Sequence, residues 1–556
     1  MNQDLKTLSD ALDAASISGA GYTFLGERGA RTRPYAEFRA SCYRVAAGLR
    51  RAGLERGDVV ALVIADAEQF LTTLVGASVA GMVPASLYPP ATSADMARFF
   101  ETTAPTLAAS AARAIVTTGA LVNGFEALLA RRSLSEPIVL AREDLEADGP
   151  PDSWRPSLDD VAFIQYTSGS TSDPKGVVLT HRCVAENISA IHGPRGLDVT
   201  ASDIGVSWLP LYHDMGLIGM SFAPLYGARP VVLMAPEMFV KRPVEWLRAI
   251  TQYRATISYA PNFAYDLCVR RIKDRDVEGL DLSSWRVAGC GAEPVNAQTL
   301  AAFAGKFTCA GFRAASFLPS YGLAEHVLAA TLAARDREPR VDTVGADGLS
   351  ALRIAAPADA AADAAISIVG CGRPLPGHAL RIIREDGADA RDREVGEIAL
   401  AGPSVMVGYY KDPELTSRVI RDGWLHTGDL GYLSEGELFV CGRVKDLIVI
   451  NGRKYHPQDL EWSLDGIRGV RRGRVVAFGD AGANRVVIIA EASGAVAPGS
   501  LTADIRRLIG DHFGLAVDDV LLVPGGTVAR TTSGKVRRAA MRAAYERGEL
   551  AAVAIS

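Results

Sequence analysis

The sequence has few cysteines, and none stands in the spacing that a zinc site or a disulfide framework requires. Its seven cysteines are scattered over 556 residues, and no two of them form a Cys-x-x-Cys pair. An odd, dispersed set of thiols is typical of proteins from a reducing compartment. We therefore expect a cytoplasmic protein whose fold depends on neither disulfides nor structural zinc.

An excess of positive charge is also missing. The formal net charge is −5, so the chain lacks the overall positive field that would favour DNA or RNA as a partner. The basic stretch GKVRRAAMRAAYER near the C-terminus is most simply a solvated helix face. We expect no nucleic-acid partner.

Long apolar runs are absent as well. The most apolar region, VVALVIADAEQFLTTLVGASVAGMV, is interrupted by Asp66 and Glu68. The first residues, MNQDLKTLSD, do not have the charged and then apolar pattern of a signal peptide. We expect neither a membrane span nor secretion.

Short apolar runs that alternate with amphipathic stretches predict an α/β fold. Runs such as VVALVI, RAIVTTG, VAFIQY, RPVVLMA, ATISYA and WRVAGCG have the composition of buried parallel strands. A chain of this length needs more than one core. We predict a large N-terminal domain over 1–444, with parallel-sheet layers and, from about residue 370, a small barrel-like subdomain. A small, mobile α+β C-terminal domain follows over 445–556.

The segment YTSGSTSDPKG (166–176) predicts a phosphate-binding loop. It follows an apolar strand, and α/β sheets bind ligands beyond the carboxyl ends of their strands. Its glycines let backbone N–H groups approach an anion, and its hydroxyls add donors. Pro174 stands where a Walker A loop needs a second glycine, and a flexible linker is the alternative for this segment alone. The candidate phosphate-binding residues are Thr167, Ser168, Gly169, Ser170, Thr171, Lys175 and Gly176.

Seven motifs in a fixed order resemble those of a known superfamily. They are YTSGSTSDPKG, LPLYHDMGLIG, GCGAEPV, SYGLAEH, HTGDLGYL, GRVKDLIVINGRKYHPQDLE and TTSGKVRR. Together they resemble the acyl- and aminoacyl-adenylating superfamily of acyl-CoA synthetases, peptide-synthetase adenylation domains and luciferases. The resemblance covers nearly the whole chain. It implies an enzyme that forms acyl-AMP and pyrophosphate from a carboxylate and ATP, and then passes the acyl group to a thiol.

The resemblance also implies roles for single residues. Lys535 matches the family's catalytic lysine, and His213 matches the histidine near the carboxylate end of the substrate. Glu325 matches the ligand of Mg²⁺, a cation that needs few protein carboxylates when phosphates share it. Lys445 matches the hinge about which the C-terminal domain would rotate. The implied adenine and ribose contacts are Gly291, Ala292, Glu293, Ser320, Tyr321, Gly322, Asp429 and Arg443; for Asp429 alone, a turn-forming aspartate is the alternative.

Within the superfamily, the chain most resembles the fatty acyl-AMP ligases, through the motifs PLYHDMGLIG, GAEPV, SYGLAE and GRKYHPQDLE. These ligases pass the acyl group to the phosphopantetheine thiol of a carrier protein. An Ala-rich excursion at about 340–365 lies where they carry an insertion, although composition alone is equally consistent with an idle loop. The chain departs mildly from the family pattern in two places. It has IVGCG where the family has VSCG, and its GRKYHPQD motif has Lys454, Tyr455 and His456 where the family more often has other residues.

For the substrate we expect a medium- or long-chain fatty acid, with ATP and Mg²⁺. Candidate acyl-pocket residues are Trp208, Leu211, Met215, Met220 and Phe222, each of which is singly also explained as core. Since no carrier-like serine follows the last motif, we expect a holo acyl carrier protein in trans. The alternatives are an acyl-CoA synthetase that uses free CoA and a non-catalytic nucleotide-binding regulator. Chain length, carrier identity and oligomeric state are not encoded in these motifs.

Overall fold

The computed structural model describes residues 5–27, 29–90, 96–132, 136–148, 154–167, 174–346, 348–349, 353–359, 365–450, 453–480, 485–530 and 536–553. Within these ranges the strands are β1 (Gly21–Gly26), β2 (Gly29–Pro34), β3 (Val59–Val63), β4 (Val83–Ser86), β5 (Ala114–Thr117), β6 (Ile138–Ala141), β7 (Val161–Thr167), β8 (Lys175–Thr180), β9 (Gly205–Ser207), β10 (Val231–Met234), β11 (Ile257–Ala260), β12 (Val287–Cys290), β13 (Phe317–Gly322), β14 (Ala329–Leu332), β15 (Val341–Gly345), β16 (Ala365–Val369), β17 (Arg373–Pro374), β18 (Ala379–Ile383), β19 (Gly396–Ala401), β20 (Gly408–Tyr409), β21 (Ile420–Arg421), β22 (Trp424–Ser434), β23 (Glu437–Arg443), β24 (Ile448–Ile450), β25 (Arg453–Tyr455), β26 (Val470–Asp480), β27 (Arg485–Ala492) and β28 (Asp519–Val523).

The α-helices in the same ranges are α1 (Leu8–Ala15), α2 (Tyr35–Arg51), α3 (Ala67–Val79), α4 (Met96–Ser110), α5 (Gly119–Arg131), α6 (His181–His192), α7 (Ala223–Gly227), α8 (Pro236–Lys241), α9 (Val244–Tyr253), α10 (Asn262–Arg271), α11 (Ala297–Phe307), α12 (Pro413–Val419), α13 (Pro457–Ser463), α14 (Pro498–Phe513) and α15 (Arg538–Glu546). A π-helix covers Met215–Phe222. None of the helices in these ranges has both the length and the apolarity to cross a bilayer.

Two sheets with parallel centres form the body of the N-terminal part. Sheet A has the strand order β17-β14-β13-β12-β11-β9-β10-β1-β2, and sheet B has the order β20-β8-β7-β4-β3-β5-β6. The strands from β13 to β1 in sheet A, and from β7 to β6 in sheet B, are parallel. Helices α1, α2, α3 and α6 pack with faces of both sheets in one core. The predicted α/β fold class is confirmed, because parallel strands buried on both faces need this apolar composition.

The apolar region around Asp66 divides into a strand and a helix. β3 is buried at every position, and the Asp66 side chain caps α3 by accepting a hydrogen bond from the Gln69 N–H at 2.8 Å. Glu68 accepts a hydrogen bond from Arg33 at 2.7 Å. The two acidic residues thus start α3, as N-cap preferences predict.

An antiparallel sheet follows the two large sheets. Sheet C has the order β18-β19-β22-β21, with β23 also paired to β22. It corresponds to the subdomain predicted from about residue 370. In the described part of the 340–365 excursion, β15 pairs antiparallel with β16. Val344, Leu349 and Ala355 share a buried cluster with Tyr432 and Phe439 of sheet C, so this part of the excursion is packed against the protein.

Residues after Asp446 build small sheets of their own. β24 pairs with β25, and β26, β27 and β28 form another sheet, on which α13, α14 and α15 pack. β27 and β28 are parallel and are connected through α14. The α+β character predicted for this part of the chain is confirmed. A short 3₁₀ turn, Val444–Asp446, connects it to β23.

Candidate active site

The predicted phosphate-binding segment forms the end of a β-hairpin. β7 and β8 are antiparallel, with Tyr166 opposite Gly176 and Thr167 opposite Lys175. A Cβ on Gly176 would lie 2.9 Å from Ile164 Cγ2 and 3.0 Å from Tyr166 Cζ, so the β7 side chains that pack over this position would have to shift for any larger residue. Of the other candidates in this loop, Ser168, Gly169, Ser170 and Thr171 lie outside the described residues.

A cavity of about 510 Å³ opens beside this hairpin, at the carboxyl ends of strands from both large sheets. Most of the predicted site residues are in its wall, although they come from distant parts of the sequence. The predicted residues that line it are Thr167, Lys175, His213, Met215, Met220, Ala292, Ser320, Tyr321, Gly322, Glu325, Arg443 and Lys445.

Tyr321 and Arg443 in the wall of this cavity form a hydrogen-bonded triad with Asp429. The Tyr321 hydroxyl donates to Asp429 Oδ2 at 2.8 Å, and Arg443 Nε lies 2.8 Å from Asp429 Oδ1. Asp429 and Arg443 are directly opposite on β22 and β23. The Asp429 carboxylate raises the pKa of Arg443, and burial followed by the same carboxylate raises the pKa of Tyr321. The two contacts leave lone pairs on the carboxylate for a further donor.

Glu325 lies on a 3₁₀ turn that is fixed at both its backbone and its side chain. The Met406 N–H donates to the Glu325 carbonyl at 2.9 Å, and the Tyr409 hydroxyl donates to Glu325 Oε1 at 2.7 Å. A Cβ on Gly322 would lie 1.7 Å from the Leu328 carbonyl oxygen, so the chain can fold back over Gly322 only because no side chain is present. Tyr409 was not among the sequence candidates.

Glu325 has the donor chemistry of a magnesium ligand that shares its ion with phosphates. Among the described residues, no group of three or more His, Cys, Asp or Glu side chains is arranged to hold a metal ion. Mg²⁺ prefers oxygen donors and is commonly held by one or two carboxylates together with substrate phosphates. A single carboxylate, Glu325, in the same cavity as the hairpin fits a metal ion that is shared with phosphates. It does not fit a site in which the protein alone supplies all the ligands.

His213 lies at the turn before the π-helix. Its Nδ1 is 2.6 Å from Asp214 Oδ1, and the Met215 N–H donates to the same Asp214 oxygen at 2.7 Å. Gln165 of β7 donates to the Tyr212 carbonyl at 2.7 Å. The loop that carries His213 is thereby anchored to the strand that carries the phosphate hairpin.

One region of the cavity wall, called here the apolar end, consists of apolar side chains that also pack against one another. The lining there comes from α6, the following loop, β11 and β14, with the side chains Ile191, Leu197, Ile257, Tyr259, Leu328, Ala329 and Leu332. Sequence analysis did not find these residues, because single apolar residues on buried elements carry no signal that separates a pocket wall from a core.

The candidate acyl-pocket residues divide between the cavity and the cores. Met215 and Met220 line the cavity. Trp208 stacks on Phe239 with ring centres 3.9 Å apart, and Phe222 is fully buried in the core between the large sheets. Leu211 packs against that same core. A role in acyl binding stays a prediction for all five.

A second cavity, of about 590 Å³, lies between the N-terminal part and the residues after Asp446. It shares Ala292, Ser320, Tyr321, Gly322 and Arg443 with the first cavity, and Glu293 and Asp429 line it as well. Gly291 lies beside Ser320, behind this shared wall. Lys535 is outside the described residues. Arg530 and Val536, which flank its segment, line the second cavity.

Comparison with known proteins agrees with this geometry. A family model described as AMP-binding enzyme matches residues 18–410. A Caulobacter vibrioides protein provisionally named an acyl-CoA synthetase is 36% identical over 98% of this chain and 96% of its own. The medium-chain-fatty-acid–[acyl-carrier-protein] ligase JamA of Moorena producens is 36% identical over 70% of this chain and 69% of its own.

Among solved structures, one from a study of fatty acyl-adenylate ligases of E. coli and L. pneumophila superposes with a TM-score of 0.92. It is 36% identical and covers 98% of this chain and 99% of its own. The resemblance drawn from the seven motifs is confirmed by these matches. The chain belongs to the AMP-binding enzyme family.

Proposed function

We propose that this protein activates a medium- or long-chain fatty acid with ATP, giving acyl-AMP and pyrophosphate, and then transfers the acyl group to the phosphopantetheine thiol of an acyl carrier protein in trans. The observation that carries the proposal is the continuity of one cavity. It contains the phosphate hairpin and Glu325 together with an apolar end of mutually packed side chains, and so matches a substrate that joins a nucleotide to a hydrocarbon chain.

The nucleotide would occupy the polar end. Tyr321 would stack on adenine, and Asp429 would accept hydrogen bonds from the ribose hydroxyls with Arg443 beside it. Lys175 and the hairpin donors would bind the β- and γ-phosphates. Mg²⁺ held by Glu325 would neutralise charge on the phosphate oxygens during transfer.

The acid would enter with its carboxylate toward His213 and its tail in the apolar end. Its carboxylate oxygen would attack the α-phosphorus, forming the new P–O bond as pyrophosphate leaves. We assign charge neutralisation at the reacting oxygens to Lys535, since a compact ammonium on a long stem suits a transient contact.

We also propose that residues 1–444 form the adenylation domain and 445–556 a domain that rotates about Lys445. Rotation would change which residues face the acyl-AMP between the two steps. All seven cysteines are free thiols, which supports a reducing, cytoplasmic setting. The names of the similar ligases support a carrier protein as the acceptor.

The test is a product assay with Mg·ATP and fatty acids from C6 to C18, each run without acceptor, with CoA, and with a phosphopantetheinylated carrier protein. We expect acyl-AMP to accumulate without acceptor, to persist with CoA, and to be consumed by the carrier. Rapid acyl-CoA formation would instead make the protein a CoA ligase. No acyl-AMP from any acid would refute fatty-acid activation.

A further inference from the structure

Tyr409 contacts two of the charged side chains that line the first cavity, Glu325 and Lys175. It lies on the short edge strand β20, and only 8% of the residue is exposed. Its hydroxyl donates to Glu325 Oε1 at 2.7 Å. Lys175 Nζ lies 5.3 Å from the centre of its ring, in a cation–π contact. One side chain therefore links a carboxylate and an ammonium that lie far apart in the sequence.

The backbone around Tyr409 links the same two elements. Gly408 and Tyr409 pair antiparallel with Val178 and Val177 of β8, and the Tyr410 N–H donates to the Gly176 carbonyl at 2.7 Å. Three residues before Tyr409, the Met406 N–H holds the Glu325 carbonyl. The segment from 406 to 410 is thus attached at one end to the Glu325 turn and at the other to the phosphate hairpin.

The two contacts leave both charged groups able to bind further partners. A single hydroxyl on Oε1 leaves the other carboxylate oxygen to a hard cation, which binds oxygen donors. A cation–π contact engages the charge of the ammonium without using its three N–H donors, which remain available to phosphate oxygens. A direct ion pair between Glu325 and Lys175 would instead neutralise both groups.

We propose that Tyr409 is a positioning residue that holds Glu325 and Lys175 apart, with the carboxylate directed to the metal ion and the ammonium directed to the phosphates of one bound Mg·ATP. The inference rests on the proposed function only in taking Mg·ATP as the ligand. It does not depend on which acid or which thiol the enzyme uses.

The experiment compares the binding of Mg·ATP and of metal-free ATP, the latter in EDTA, to the full-length protein by calorimetry without fatty acid. Tyr409→Phe keeps the ring and removes the hydroxyl. We expect the dissociation constant for Mg·ATP to rise about tenfold, the effect of losing one hydrogen bond to a charged group, and that for metal-free ATP to stay within about twofold. Tyr409→Leu, which also removes the ring, should weaken both.

Tyr410→Phe is the matched control and should bind like the wild type, because Tyr410 contacts the hairpin through its backbone N–H. In a Glu325→Gln background, Tyr409→Phe should produce no further loss, as expected for two groups that act through one contact. This cycle measures the coupling even if single variants are less stable.

Unchanged Mg·ATP binding by Tyr409→Phe, or equal losses of Mg·ATP and metal-free ATP, would overturn the proposal. So would a wild-type protein that binds Mg·ATP no more tightly than metal-free ATP. Failure of the proposed function looks different: Mg·ATP binds and depends on Tyr409, but no acyl-AMP forms or the acyl group goes to CoA.

Discussion

Replacing Asp429 by asparagine tests the nucleotide end of the site with little change in shape. Asp429 is 6% exposed, and its carboxylate accepts a hydrogen bond from Tyr321 and pairs with Arg443. The amide of asparagine keeps one acceptor oxygen but loses the negative charge. Hydrogen bonds to charged groups contribute about 1.5–3 kcal/mol, and a neutral acceptor about half of that. We therefore expect ATP affinity to fall by about 1.5 kcal/mol, roughly tenfold.

The cost to folding should be smaller than the cost to binding. The Arg443 side chain is 47% exposed and can be hydrated when its partner is lost, so the pair contributes at most about 1 kcal/mol to stability. The hydrogen bond from Tyr321 adds about 1 kcal/mol. A thermal scan should consequently show a shift of only a few degrees, roughly 2–4 °C per kcal/mol.

Calorimetric titration with ATP, together with ATP–pyrophosphate exchange under saturating fatty acid, measures the effect. Tyr321→Phe is the control, because it removes the same hydrogen bond to Asp429 but keeps the ring and the charge, and its ATP affinity should change less than threefold, about 0.6 kcal/mol. An Asp429→Asn protein that binds ATP within twofold of the wild type would refute the ribose assignment. Equal losses in both variants would show that the triad acts on structure alone.

Three further predictions follow from other parts of the molecule. Lys535→Ala should slow acyl-AMP formation by about 10²–10³-fold while ATP binding persists, and an unimpaired rate would remove its catalytic assignment. Asn187 is fully buried and bonds both the carbonyl and the N–H of Ala329, so Asn187→Ala should lower the free energy of unfolding by about 3 kcal/mol in denaturant titrations, whereas Asn187→Asp, unable to donate, should not restore it. Burial raises the pKa of Asp203, but hydrogen bonds led by Arg286 outweigh it and lower the pKa to about 2. Because this value lies below that of the unfolded chain, about 2 kcal/mol of stability present above pH 4 should disappear as the pH falls from about 4 to about 2, and an Asp203→Asn protein should lack that component.

Elements of the fold were predictable where composition and burial agree. β3, β7, β11 and β12 appear as apolar runs because parallel strands covered on both faces need apolar side chains at every position. In the structure the long apolar region divides at Asp66, a residue type that caps helices and is costly inside a buried strand. Strand pairing was not predictable, because sheet A joins strands such as β1, which ends at Gly26, and β10, which begins at Val231.

The charged residues of the site were identified through the ordered motifs that resemble the adenylating superfamily, and for Asp429 alone a turn-forming aspartate was the alternative. A buried carboxylate such as Asp429 is retained only where hydrogen bonds or opposite charge compensate its lost hydration. The apolar end has no such cost, so Ile257 and Leu332 could not be distinguished in the sequence from core residues.

Tyr409 could not be found in the sequence for a different reason, because its contact with Glu325 joins two segments that are distant in the chain. Glu325 and Tyr409 are 84 residues apart, and the hydrogen bond between them exists because β20 pairs with the strand that carries Lys175. No local pattern around either residue encodes that pairing, since a two-residue edge strand has too few positions for a hydrophobic period. Charged candidates such as Glu325 and Lys175 can therefore be recognised from the motifs around them, whereas a contact between distant segments, such as that of Tyr409 with Glu325, appears only when the sheet is assembled.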